Sequence, residues 1–255
     1  MAIRSSVFPL MAVGLSTMLC TSALAATTIS STRVIYPQSE REVTVQISNQ
    51  GKEPVLLQSW IDDGHADVSP DLMKVPFVLT PPVNRIDSGK SQSVRIRYTG
   101  SGLAADRESL LWFNALEVPP KLKGEESKSF LQMAFRTRIK LLFRPAGLQG
   151  TPEAAASTLR WKSSGNRLTA TNDTPWNINL VDVVGGGQTV TNDTPWNINL
   201  VDVETTLDGR RVVTEADTVP PFSHRTFTAK GSQAGTVSSW RSVNDYGAIR
   251  QHSPK

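Results

Sequence analysis

"FLQMAFRTRIKLLFRP", residues 130–145, is the stretch on which the fold turns. At the two-residue period of a strand, Leu131, Met133, Phe135 and Ile139 point one way, while Arg136, Arg138 and Lys140 point the other. The stretch predicts a long strand with an apolar row on one face and three cations on the opposite one. It ends in Arg144-Pro145-Ala146-Gly147, followed by Gly150-Thr151-Pro152-Glu153. This is the best interdomain boundary in the chain.

Upstream, short alternating runs are punctuated by turn residues. Val43, Val45 and Ile47 precede Asn49-Gln50-Gly51, Val55 to Ile61 precede Asp63-Gly64, and Val94, Ile96 and Tyr98 follow Ser88-Gly89. Downstream, strand patterns resume at Arg167 to Thr171, Trp176 to Val183, Arg211 to Val213, Arg225 to Ala229 and Val237 to Val243. Long stretches with apolar residues at helical spacing are missing. The pattern is all-β, with the turn signals every ten or so residues that mark antiparallel β-sandwiches.

The chain opens like an address label: Arg4, an apolar run from Val7 to Leu19, then Ala23-Leu24-Ala25, which predicts a signal peptide over residues 1–25 and a mature start near Ala26. Leu19 before Cys20 is too bulky for a lipoprotein processing site, so the single cysteine leaves with the leader. The expected product is exported to an oxidising compartment, uses no disulfide there and is stabilised by burial alone. About 230 residues suffice for two domains of about 110 each, expected at 26–146 and 147–255. No second apolar run reaches transmembrane length, so no stable membrane insertion is expected. Of 27 Lys+Arg, removing Arg4 leaves 26 against 23 Asp+Glu, a balance of +3. That is too mild for nucleic acid, which shows as a concentrated basic stripe.

"TNDTPWNINLVDV" occurs at 171–183 and again, letter for letter, at 191–203. Two copies are too few to bury a solenoid. The plain reading is a recent tandem insertion or an artificially joined sequence. Only one copy can fill the strand slot; the other forms an extra hairpin through Gly185-Gly186-Gly187 or loops out. Identical side chains leave register there poorly specified.

"LAADRESLLWFNALEVPP", 103–120, resembles the signature of the periplasmic pilus-assembly chaperones (PapD-like) of the chaperone/usher pathway. "TRVIYP" at 32–37, "FVLTPPVNR" at 77–85, "RIKLLFRP" at 138–145 and "NDYG" at 244–247 agree in order and spacing. The resemblance implies two immunoglobulin-like β-sandwich domains in an L-shaped, boomerang arrangement. The short connection from Pro119 to Ser129, without cysteines, is similar to the short-loop subfamily. The duplicated strand has no counterpart in the family.

It further implies a periplasmic chaperone that binds, folds and caps fimbrial subunits and hands them to an outer-membrane usher. Each subunit is an immunoglobulin-like fold missing its last strand, and the chaperone lends an edge strand to the groove. By resemblance the lent row is Leu131, Met133 and Phe135. Arg33 and Lys140 hold the subunit's terminal carboxylate at the crease between domains. Glu108, Arg144 and Asp245 form an interdomain charge network, and Pro82 and Arg95 fall where the family contacts the usher. Arg136 and Arg138 are read as solvated cations that discourage edge-to-edge pairing. When free, the apolar edge is expected to be shielded by self-association or by a mobile flank at Gly124-Glu125-Glu126-Ser127. Neither a cofactor nor a nucleotide is implied.

Other functions find less support. His65, His224 and His252 sit in no zinc or triad pattern, and neither a G-x-S-x-G elbow nor a phosphate loop is present, so an enzyme is not expected. Asp62, Asp63, His65 and Asp67 in "DDGHAD" match no calcium loop and read as a turn. A secreted adhesin or pilus subunit is the nearer alternative, but Ala26 to Ser31 is too short for a donor extension of its own.

Overall fold

The computed structural model describes residues 27–120, 133–164, 167–185, 188–189, 204–207, 210–213, 218–228 and 237–254. The leader, the 124–127 flank, Leu131 and the second copy at 191–203 lie outside them.

In chain order, the strands of the first half are β1 (Thr27–Ile29), β2 (Arg33–Pro37), β3 (Val43–Asn49), β4 (Val55–Asp62), β5 (Phe77–Thr80), β6 (Val83–Ile86), β7 (Ser91–Tyr98), β8 (Ser109–Val118) and β9 (Phe135–Arg144). They form two sheets, ordered β1-β3-β7-β5 and β2-β9-β8-β4-β6. Period-two alternation explains the packing: Val45 and Ile47 of β3, Val94 and Ile96 of β7, Leu111 and Phe113 of β8, and Ile139, Leu141 and Phe143 of β9 all enter one buried core. At one end Tyr36, Phe77, Tyr98 and Phe143 cluster, with ring centroids 4.5 Å apart for Tyr98 and Phe143. The Tyr36 hydroxyl accepts from Tyr98 N (2.9 Å), so this buried phenol is not left unpaired.

Past β9 the chain turns at Gly147 and Gly150, both at positive φ, into a one-turn helix α1 (Pro152–Ala156) that the strand reading missed. Its signals are in the sequence: Thr151 caps it by accepting from Ala154 N, Pro152 opens it and Glu153 lies in the first turn. Then follow β10 (Arg160–Ser164), β11 (Arg167–Asn172), β12 (Ile178–Gly185), β13 (Gln188–Thr189), β14 (Glu204–Leu207), β15 (Arg210–Val213), β16 (Thr218–Val219), β17 (Ser223–Thr228), β18 (Val237–Val243) and β19 (Ile249–His252). The sheets here are β10-β11-β17 and β13-β12-β18-β19, with β16 also on β12 and β14 paired with β15. A second core joins Leu168, Ala170, Trp176, Ile178, Leu180, Phe227 and Trp240.

The first copy of the repeat thus occupies the strand slot. Its Asn172 Nδ2 donates to the carbonyls of Trp176 (2.7 Å), Val219 (3.2 Å) and Pro220 (2.9 Å), fixing the turn that leads into β12. After β12, Val184 pairs with Thr189 and Gly185 with Gln188; whether the second copy forms a hairpin or loops out lies outside the described residues.

Candidate functional site

β9 is only half enclosed. Its antiparallel partner β8 covers Phe135–Phe143, whereas its parallel partner β2 covers only Lys140–Arg144. Among the described residues, Phe135–Ile139 therefore have a strand on one side and an open edge on the other. The apolar row changes character at the same place: Ile139 is buried, while Phe135 is 39% and Met133 50% exposed. Those two side chains do not belong to the inner face of the first sandwich. A long apolar edge of this kind is an invitation to a further strand.

The cationic face departs from expectation. Arg138 is only partly exposed, and Arg136, though exposed, is held by protein partners, because the register sets Trp60, Asn114 and Arg138 in one row and Asp62, Trp112 and Lys140 in the next. Arg138 donates from Nε (2.9 Å) and Nη2 (2.5 Å) to the buried Asp62 carboxylate and lies 4.0 Å over the Trp112 ring. Arg136 donates to Asn114 Oδ1 (2.7 Å) and to Ala66 O (2.6 Å), and stacks on Trp60 at 4.8 Å. Burial alone would raise the Asp62 pKa, but hydrogen bonds from Arg138, Asn114 and the Gly64 amide outweigh it and hold the carboxyl below its ordinary value. "DDGHAD" is indeed a turn: Asp62 Oδ1 accepts from Gly64 N (2.8 Å), and Gly64 takes φ +112. The period-two reading had the face right. It could not show that partners 22 to 76 residues away would engage it.

Arg33 and Lys140 are direct register partners in the β2–β9 pair, and both are buried, at 6% and 8% exposure. Lys140 Nζ donates to Asn179 Oδ1 (2.7 Å) and Thr218 Oγ1 (2.6 Å) of the second half. Arg33 is different. Its Nε and Nη1 are buried with no hydrogen-bond partner among the described residues. Burial pushes its pKa down, and the nearby Asp245 and Glu108 carboxylates restore only part of that. An unsatisfied buried donor costs about 1–3 kcal/mol, a cost that a further acceptor at this place would relieve.

Glu108, Arg144 and Asp245 come together. Arg144 Nε donates to Glu108 Oε1 (2.7 Å), and its Nη1 and Nη2 form a fork with Asp245 (2.6 and 2.5 Å). Burial works against the Arg144 charge, but the two carboxylates overcome it and raise the pKa above its ordinary value. "NDYG" explains how Asp245 is aimed: Asn244 Oδ1 accepts from Tyr246 N and Ala248 N, and Gly247 turns at φ +81, where a Cβ would approach Thr32 Oγ1 to 3.1 Å. The sequence reading missed the other half of this junction, supplied by the first repeat copy. Glu108 N donates to Pro175 O (2.8 Å), Asn177 donates to Glu108 Oε2 through N and Nδ2 (both 3.0 Å), and Trp176 lies under Arg144 at 5.3 Å. The exact repetition of "TPWNIN" was the available signal, but nothing in it indicates an interface.

Pro82 and Arg95 are exposed at one end of the first sheet, where Arg95 pairs with Thr80. Arg95 Nη1 lies 4.0 Å from Glu42.

Two linked β-sandwiches thus carry an open apolar strand edge beside a buried basic pair at their junction. Known proteins share the fold and much of the sequence. Residues 26–149 match the family "Pili and flagellar-assembly chaperone, PapD N-terminal domain" and residues 181–254 "Pili assembly chaperone PapD, C-terminal domain". The chain is 38% identical over 236 residues to the chaperone protein FimB/FhaD of Bordetella pertussis, covering 91% of this chain and 88% of that one. It is 37% identical over 234 residues to the chaperone protein HifB of Haemophilus influenzae, covering 90% and 88%. Among solved structures, the SafB chaperone of Salmonella enterica in complex with the SafA pilin superposes with a TM-score of 0.70 at 29% identity, covering 91% of this chain and 97% of that one. The YadV chaperone gives a TM-score of 0.68 at 35% identity, covering 89% and 98%. The chain belongs to the PapD-type family of pilus-assembly chaperones. That is a periplasmic family with a non-enzymatic role. Among the described residues no helix is long and apolar enough to cross a membrane.

Proposed function

We propose that the chain lends the start of β9 to pilus subunits, holds them folded and capped in the periplasm, and passes them to an outer-membrane usher. The half-paired β9 carries this reading: Phe135–Ile139 offer backbone groups along an open edge, and Met133 and Phe135 stand exposed beside it. Strand addition takes its affinity from main-chain hydrogen bonds and its specificity from alternate side chains entering pockets. Leu131, Met133 and Phe135 form the lent row. Burying such side chains contributes about 1.5–3 kcal/mol each before ordering costs are subtracted. Methionine in the row suits subunits with pockets of different shape.

Arg33 and Lys140 hold the subunit's terminal carboxylate. Their pairing across β2–β9 and the unpartnered Arg33 donors support this, since a carboxylate would satisfy donors that the fold leaves open. Charge-assisted bonds of this kind contribute about 1.5–3 kcal/mol each, and they fix where the added strand stops. Pro82 and Arg95 face the usher. The leader is removed on export near Ala26, and the free protein shields its apolar edge by self-association. Capture and release need no covalent step.

The test is periplasmic co-expression with a fimbrial subunit, comparing recovery of the subunit for wild type, Arg33→Ala and Lys140→Ala. Both variants are expected to lose capture while keeping the wild-type circular-dichroism spectrum. Undiminished recovery in either would remove that residue from the site.

A further inference from the structure

We propose that Asp62 is a positioning residue for strand lending: through Arg138 and Arg136 it holds the open half of β9 extended and in one pleat phase before a subunit arrives. The assignment rests on the role given to β9 above. Phe135–Ile139 have β8 on one side and, among the described residues, no strand on the other. The segment to be lent therefore lacks one of the two ladders that fix an inner strand. A slip by one residue there would turn Phe135 to the opposite face and bring Arg136 into its place.

The outer face of the sheet supplies what the missing ladder does not. Arg138 stands opposite Asn114, and Asn114 opposite Trp60, so one row runs from β9 across β8 to β4. Each arginine reaches past its own row into the next. Arg138 grips the Asp62 carboxylate with Nε and Nη2 and covers Trp112. Arg136 donates to Asn114 Oδ1 from Nε (2.9 Å) and Nη2 (2.7 Å) and covers Trp60. Asn114 Nδ2 in turn donates to Asp62 Oδ2 (2.8 Å), so both arginines are referred to one carboxylate. Asp62 is fully buried and is fixed from its own strand end by the Gly64 amide. Two straps thus cross β8 and tie the edge strand to the strand beyond it. They grip alternate residues of one face, which sets the pleat phase, and they lie opposite the face to which Phe135 and Ile139 point. The lent row is ordered without a group standing where its ligand goes. Ordering the backbone costs entropy, and here that cost is met during folding rather than at capture.

Amide hydrogen exchange of the full chain tests this, together with the dissociation constant for a synthetic alternating apolar peptide ending in a free carboxylate. Asp62→Asn keeps the shape and removes the charge on which both straps converge. In the free variant, the amides of Phe135–Ile139 that bond to β8 should lose most of their protection, while those of β3 and β7 in the opposite sheet keep their rates. A binding-competent fraction of about one-tenth would weaken peptide binding about tenfold. Saturating peptide should restore the protection, because the lent face is unchanged. Arg136→Met cuts one strap near the surface and should move both readouts in the same direction by a smaller factor. It decides the matter if the Asp62 variant does not fold. Wild-type exchange in Asp62→Asn, or in Arg136→Met where it alone folds, overturns the positioning role. Faster exchange with undiminished affinity overturns it too. A wild-type chain whose Phe135–Ile139 amides are not slowed by the peptide fails the strand-lending reading itself.

Discussion

Removing the charge of Arg144 while keeping its bulk, as Arg144→Met, tests the interdomain network most severely. The guanidinium makes three hydrogen bonds to two carboxylates and covers Trp176. Three charge-assisted bonds at about 1.5–3 kcal/mol would sum to far more than the net loss, because the partners are not left equally bare. Glu108 keeps the two donors of Asn177, and the Asp245 side chain is 20% exposed, so water can take up part of its charge. The Glu108 side chain, at 1% exposure, has no such relief. The expected cost is therefore that of breaking a buried pair, about 3–5 kcal/mol, or roughly 10 °C in melting temperature for a chain of this size. Calorimetry and urea unfolding followed by tryptophan fluorescence measure it, with Trp176 reporting on the junction. Neutralising the stranded acids in the same background, with Glu108→Gln and Asp245→Asn, should recover part of the loss, since the cost is an unpaired charge. A loss under about 1 kcal/mol, as for exposed pairs, or no recovery on neutralisation, would refute the reasoning.

Two further outcomes follow from the second half. His252 stacks on Trp240 at 5.8 Å with its Nε2 2.8 Å from Ser242 Oγ, and burial holds its pKa below the ordinary imidazole value. The unfolded chain then takes up this proton first as pH falls, so the stability involved is present above the ordinary value and lost as pH drops through the folded one. Thermal midpoints measured between about pH 5 and 8 should decline on the acid side in wild type, and His252→Asn should flatten that decline. Excising residues 184–203 joins Val183 to Glu204 and leaves every residue from Pro175 to Leu180 in place. Loop closure changes by well under about 1 kcal/mol, so the shortened chain should fold, melt no lower than the parent and capture subunits as well. Loss of the cooperative transition would show that the extra segment has become part of the fold.

Local chemistry made much of this molecule readable in advance. Alternation at Val43 to Ile47, Val94 to Tyr98 and Val237 to Val243 reappears as β3, β7 and β18. Within "NDYG", each residue's type matches its geometry. Where the side chain's partner lies far along the chain, the sequence misled or fell silent. Nothing near Arg136 and Arg138 in sequence announces that they engage Trp60, Asp62 and Trp112. Asn177, Asn179 and Thr218 look like ordinary strand and turn residues, and they acquire meaning only when β12 and β16 are brought against Glu108 and Lys140. That Arg33 and Lys140 lie side by side was expected from the family resemblance alone, since two cations more than a hundred residues apart carry no local sign of being neighbours.

Amide hydrogen exchange across Phe135–Ile139, in the free chain and in its complex with a fimbrial subunit, tests strand lending most directly. If the open side of β9 receives the subunit's backbone, exchange in this segment slows markedly on binding, while the amides of β6 at the far edge of the same sheet keep their rates. Tight binding that left the exchange of Phe135–Ile139 unchanged would contradict it.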